Sequence, residues 1–328
     1  MTRKLKTEFN TSPYYDDFSK DKNFLKVLFK PSIAVQTREL NQIQSLITEQ
    51  ISRFGDYVFK DGSPVIDGSF NVNVNVSYIK LHQFELINES TLSVNTYIEQ
   101  LEGRTLTSSN GVKFKVRKVE ANNTTEPNTL IGDYLSGDTV VQAGEVLTTE
   151  SSDSQTYQVT VATPELTDSV PTGASITGKS SLVSVDDGIF YIAGYFHKTS
   201  KQIIVLDKYS NTPSYRIGLE LDESLITSGD DISLYDNAQG SPNYSAPGAD
   251  RYKISLILTK KELLESDDNS IDSVLNNSSY DFFEFVRIRN GEKVDQIKNS
   301  QYSYIGEELA RRTYDTNGDF IVNNFVMD

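Results

Sequence analysis

The chain of 328 residues has no cysteine, no tryptophan and only two histidines. Without cysteine there can be no disulfide, no thiolate metal site and no thiol nucleophile. His82 and His197 lie far apart in sequence, and neither has metal-ligand spacing. A Gly-x-Ser-x-Gly nucleophile elbow is also missing. No apolar run approaches the roughly 20 residues that a spanning helix needs, so membrane insertion is not expected. The basic start, Met1-Thr2-Arg3-Lys4-Leu5-Lys6, runs into Glu8 and Asn10 without the apolar core of a signal peptide. Positive charge is scarce as well: 31 Lys and Arg stand against 46 Asp and Glu, a formal charge of -15. A nucleic-acid partner would call for a basic face, so none is expected, whereas acidity suits solubility and selective protein contacts.

Core material is nevertheless ample. Sixteen Phe and 18 Tyr accompany a hydrophobic content of 37%, which supports a globular chain. The length allows two or three domains. Residues 1–30 read as an extended arm rich in aromatics, including Tyr14, Tyr15, Phe18, Phe24 and Phe29. Such an arm packs on its own domain or on a neighbour. A helix is expected over 33–54, where Ile33, Leu40, Ile43, Ile47, Ile51 and Phe54 recur at spacings of three, four and seven. Ser32 after Pro31 would cap it and Gly55 would end it, giving a length of roughly 30 Å. Its apolar stripe could face the chain's own sheet, or a second copy or partner subunit.

Beyond residue 58 the pattern turns to strands. Residues 70–79 alternate apolar and polar side chains at period two, and 92–97 repeat the habit. Residues 103–180 read as an inserted all-β module, with strands over 112–119 and 157–163. Gly132-Asp133, Gly137-Asp138 and Gly144-Glu145 are expected as its hairpin turns. Further strands are expected over 188–196, 202–207, 216–221, 252–258 and 282–288. A short turn or helix would cover 260–264 and a short helix 307–312. The whole predicts a mainly β multi-domain protein with an extended N-terminal arm and one long amphipathic helix. Residues 31–102 and 181–328 would form a base domain around the insertion, followed by a C-terminal tail.

Two segments imitate ligand motifs. Gly173-Ala174-Ser175-Ile176-Thr177-Gly178-Lys179-Ser180 fits the phosphate-loop pattern. Its flanks are wrong: a polar, proline-containing stretch precedes it and a strand-like one follows, where phosphate binding needs a helix N-terminus. It reads as a Gly/Ser loop between β elements. Asp315-Thr316-Asn317-Gly318-Asp319 starts like a calcium loop, but Phe320 and Val326 occupy the positions that require Gly and Glu. No catalytic, cofactor-binding or metal-ligating residue is expected. A carboxylate pair for glycan cleavage would need a concave site, and adjacent acids such as Asp186-Asp187 read first as turns.

The two ends carry a resemblance. Phe9-Asn10-Thr11-Ser12-Pro13-Tyr14-Tyr15-Asp16-Asp17-Phe18, Val27-Leu28-Phe29-Lys30-Pro31 and Ala34-Val35-Gln36-Thr37-Arg38-Glu39-Leu40 resemble the opening of a family of structural proteins from contractile-tailed phage virions. Leu206-Asp207-Lys208-Tyr209-Ser210-Asn211-Thr212-Pro213, Asn243-Tyr244-Ser245-Ala246-Pro247-Gly248-Ala249 and Leu309-Ala310-Arg311-Arg312-Thr313-Tyr314-Asp315 continue it. That family, long catalogued only as a domain of unknown function, resembles baseplate or tail-fibre-associated proteins. The resemblance covers roughly 9–100 and 181–325. Family proteins often continue beyond the Arg-Arg-Thr-Tyr-Asp segment, so this chain would be a short member or a portion of a longer one. The resemblance implies a non-enzymatic component of the virion tail, assembled in the host cytoplasm, which connects baseplate wedge or tail-fibre subunits. Its partners would be other tail, baseplate or fibre proteins, in a homo- or hetero-oligomer. The alternative is a module that binds a host-surface glycan, with the 103–180 module and Tyr244 in contact. Residues expected to make protein contacts are Tyr14, Tyr15, Phe18, Phe24, Phe29, Leu40, Ile43, Ile47, Tyr244, Arg311 and Arg312.

Overall fold

A computed structural model describes residues 5–59, 61–87, 90–122, 126–136, 140–150, 156–163, 174–264, 271, 282–296 and 304–318. Among them are two α-helices, α1 (Thr37–Val58) and α2 (Tyr304–Asn317), and seventeen strands, all paired antiparallel. The protein is mainly β, with one long helix.

The first strands are β1 (Ser63–Asp67), β2 (Phe70–Lys80), β3 (Phe84–Ile87) and β4 (Ser90–Ser93). The middle of the chain supplies β5 (Thr105–Ser108), β6 (Lys113–Glu120), β7 (Thr129–Ser136), β8 (Val146–Thr149) and β9 (Gln158–Thr160). Then come β10 (Thr177–Val185), β11 (Gly188–Ile192), β12 (Tyr195–Thr199) and β13 (Gln202–Asp207). The last are β14 (Tyr215–Ile226), β15 (Arg251–Glu262), β16 (Phe282–Arg289) and β17 (Glu292–Gln296).

One eight-stranded sheet runs β13-β10-β2-β7-β6-β5-β8-β9. Its third strand is the alternating β2, which pairs with β10 on one side (Val76 opposite Ser180) and with β7 on the other (Ile79 opposite Leu130). A four-stranded sheet runs β15-β14-β16-β17 and a three-stranded one β1-β11-β12. Two main cores result. Ile79, Leu101, Leu106, Phe114, Leu130 and Leu147 fill the first. Val183, Phe190, Ile217, Leu219, Phe285 and Ile288 fill the second. Strand β16 is buried almost throughout and carries Glu284, whose carboxylate accepts from Arg216 Nε at 2.7 Å and Arg287 Nε at 2.6 Å. A buried carboxylate needs such pairing, because an isolated charge there would be too costly.

Several expectations change. Helix α1 starts four residues later than its apolar spacing implies. Ser32 sits at φ 66 and cannot serve as cap; instead Glu39 reaches back to accept the Gln36 backbone N–H at 2.8 Å. Gly55 lies inside the helix, buried, and the helix runs on to Val58. Residues 92–97 leave β4 for a 3-10 turn at Val94–Thr96. Residues 188–196 are two strands, folded at Ala193 and Gly194, whose φ values of 54 and 90 make a tight reversal. Gly132-Asp133 lies within β7, where a Cβ on Gly132 would meet Lys115 O at 1.9 Å. Gly144 does turn, at φ 75, and 137–138 lie outside the described residues. The expected turn at 260–264 is in part the end of β15. The short helix at 307–312 extends over Tyr304–Asn317.

Candidate functional site

The N-terminal segment divides into two parts with opposite behaviour. Residues 5–22 are tied to their own chain. Glu223 on β14 accepts from the Lys6 and Thr7 backbone N–H groups, each at 2.9 Å, and from Tyr252 Oη at 2.7 Å. Burial alone would raise the Glu223 pKa, but these donors, with the Thr7 hydroxyl, hold it below the ordinary range. Phe9 meets Tyr14 and Tyr252 edge-on, at centroid distances of 5.9 and 4.9 Å. The Tyr14 hydroxyl donates to Asp250 Oδ2, a hydrogen bond that raises its pKa. Further along, Ser45 on α1 donates to Asp16, Gln42 donates to Asp17, and Lys20 pairs with Glu49 at 2.6 Å. Tyr14 and Phe18 are consequently half-buried.

From residue 24 the arrangement reverses. Phe24, Leu25, Leu28, Phe29, Ile33 and Val35 are all exposed. Among residues 24–35 the ionisable side chains are Lys26 and Lys30.

Helix α1 follows in sequence and also exposes apolar side chains. Its buried residues are Leu46, Glu49, Ser52 and Gly55. Gly55 lies against Tyr191 of β11, and a Cβ there would come within 2.4 Å of the ring. Tyr191 donates to Ser52 O at 3.0 Å and to Asp56 Oδ1 at 2.6 Å. Burial, then Asp56, raises its pKa strongly. Gly194 admits the Ser52 hydroxyl in the same way. The small, polar side of α1 thus packs inward. Leu40, Ile47, Ile51 and Phe54 lie on the opposite side and remain 46–68% exposed. Ile43 is half-buried.

The expected contact residues therefore do not form one site. Tyr15, Phe24, Phe29, Leu40 and Ile47 are exposed on the N-terminal segment and α1. Arg311 and Arg312 lie exposed on α2, which touches α1, beside exposed Leu309 and Tyr314. Tyr244 stands exposed on the separate loop between β14 and β15. Sequence reasoning missed Val35 and Tyr57, both exposed, because neither extends the helical stripe.

The ligand-like motifs resolve into ordinary structure. Thr177–Val185 is strand β10, not a loop, so Gly178-Lys179-Ser180 is paired within the sheet. Lys179 Nζ donates to Asn75 O at 3.2 Å, and the buried Ser180 hydroxyl donates to Asp207 O at 2.9 Å. Gly173 lies outside the described residues. Asp315, Thr316 and Asn317 end α2, and Gly318 at φ 65 closes it by donating to Tyr314 O at 2.7 Å. His197 is buried on β12 with Nε2 at 3.1 Å from Ile192 O, and burial lowers its pKa. Asp186 and Asp187 border an open cleft, but both are engaged: Asp186 by Ser69 and Lys201, Asp187 by the Lys201 backbone N–H. Among the described residues no group of three His, Cys, Asp or Glu could hold a metal ion, and no helix is long and apolar enough to cross a membrane.

No curated protein and no solved structure matches the chain significantly. The profile of a family described as a domain of unknown function (DUF4815) matches residues 12–86 and 136–328. The second block starts well before residue 181, so the family pattern reaches further into the middle of the chain than the resemblance at the two ends implied. With most of its length matched, the chain belongs to DUF4815, a family of non-catalytic structural proteins of the bacteriophage tail and baseplate.

Proposed function

We propose that within the tail this chain is a connector, joining baseplate wedge or tail-fibre subunits through residues 24–35 and the outer side of α1. One observation carries the reading: the apolar stripe of α1 points away from its own sheet. A stripe of this kind normally supplies a helix's packing energy. Here Ser52 and Gly55 seat the helix, so Leu40, Ile47, Ile51 and Phe54 are left for another subunit. Phe24, Leu28 and Phe29, exposed on the segment that leads into α1, add further uncovered apolar side chains. Large apolar side chains grouped on one uncovered helix side mark an interaction site. Assembly would take place in the host cytoplasm, before the tail is complete.

The test is virion composition. Phage carrying Phe29→Asp together with Phe54→Glu should produce particles that lack this protein or the subunit next to it, although the purified variant keeps its far-UV circular dichroism. Particles with normal composition and infectivity would refute the connector role.

A further inference from the structure

The spacing along the outer side of α1 specifies more than apolarity. Leu40, Ile47 and Phe54 lie seven residues apart, and so do Gln44, Ile51 and Val58. Assigned as d and a positions, they form a seam with the 3.5-residue period of a coiled coil, sustained over about three heptads. Val58 is half-buried; the other five members of the seam are exposed, with α2 in place.

Charge is arranged around this seam. The charged residues of α1 are Arg38, Glu39, Glu49, Arg53 and Asp56, and all five fall at b, c or f, away from it. The flanking e and g positions hold Asn41, Thr48 and Gly55 on one side and Ile43, Gln50 and Tyr57 on the other, none of them charged at neutral pH. A helix built to find a different partner usually carries complementary charges at e and g. A chain with net charge -15 meets a different problem when it pairs with itself, because every surface acid is matched by its own copy. A neutral seam removes that repulsion where the helices touch.

Resting on the connector reading, we infer that the first partner of α1 is α1 of further copies of this chain, packed as a short coiled coil. Ile at both a and d (Ile51 and Ile47) favours three helices over two, and the single polar a residue, Gln44, fixes the register. The β sheets then lie outside the bundle, since Ser52, at b, meets Gly194 and only Gly55, at e, brings Tyr191 along one flank of the seam.

The lack of native cysteine makes a direct test possible. In the otherwise native full-length chain, Gln44→Cys should form interchain disulfides on mild oxidation, while Glu99→Cys, on an exposed turn, should not. Light scattering should give two or three times the chain mass, and Ile47→Glu should return it to one while the far-UV circular dichroism stays native. Equal crosslinking of Gln44→Cys and Glu99→Cys at high protein concentration would overturn the inference. If crosslinking fails yet Ile47→Glu still depletes virions of the protein, α1 docks on a different tail subunit: self-pairing falls and the connector stands. If crosslinking succeeds while Ile47→Glu virions assemble normally, self-pairing stands and the connector falls.

Discussion

At Gly55 one methyl group decides whether α1 can lie on its sheet. A Cβ would sit 2.4 Å from the Tyr191 ring, and that ring is buried and anchored by Ser52 O and Asp56. Gly to Ala inside a helix ordinarily gains about 1 kcal/mol in propensity. Overpacking a fixed core costs about 1–3 kcal/mol, so the clash should win. Gly55→Ala is expected to lower the denaturant midpoint; a raised midpoint would mean that Tyr191 moves aside at no cost. The exposed stripe should behave in the opposite way. Phe54→Ala, at a 68% exposed position, should change monomer stability by no more than about 0.5 kcal/mol. A third residue has the largest expected effect. Removing the buried Glu284 carboxylate as Glu284→Ala would break its ion pairs with Arg287 and Arg216, with an expected loss of roughly 3–5 kcal/mol in chemical denaturation.

The elements show which part of the fold could be read in advance. β2 was legible because Val and Asn alternate strictly over 71–76, and alternation is a property of the strand itself. The β11–β12 reversal was not, since Ala193 adopts a left-handed φ that its side chain does not advertise. For α1 the period was legible but the direction was not. Apolar spacing locates a stripe, whereas the inward side was chosen by close approach to Tyr191 and Gly194, which small residues permit. The cis attachment of residues 5–9 was equally hidden, because Glu223 is more than 200 positions away. That attachment should depend on pH. The folded pKa of Glu223 is lowered from its ordinary value of 4.5, so its stabilisation is complete above that value and is lost as pH falls through the folded one. Amide hydrogen exchange at Lys6 and Thr7, corrected for intrinsic rates, should therefore be protected at pH 7 and released in acid. Glu223→Gln should show the released behaviour already at pH 7, and equal protection in both proteins would mean that the carboxylate charge is irrelevant.

For the whole molecule, the sequence made a β-rich tail protein recognisable at its two ends, where residues such as 12–18 and 309–315 carry the family pattern. It did not reveal that the aromatic segment is two devices joined at about residue 23, since Tyr14 and Phe29 look alike in a list of aromatics and differ only in whether a partner such as Asp250 awaits them. Two alterations separate these devices. Removing residues 1–22 deletes Lys6 and Thr7, which donate to Glu223, Tyr14, which donates to Asp250, and Lys20, one of two cations paired with buried Glu49, so the melting temperature should fall. Replacing residues 24–35 by a Gly/Ser linker of equal length removes exposed side chains that the described contacts of the folded chain hardly use. The linker variant should melt within a few degrees of the native protein, because surface changes of this kind are close to neutral, yet fail to enter virions. Calorimetry of both variants, combined with virion composition, checks the division. A linker variant that melts as early as the truncated one would show that residues 24–35 serve the fold of their own chain, and the docking surface would then shrink to α1 alone.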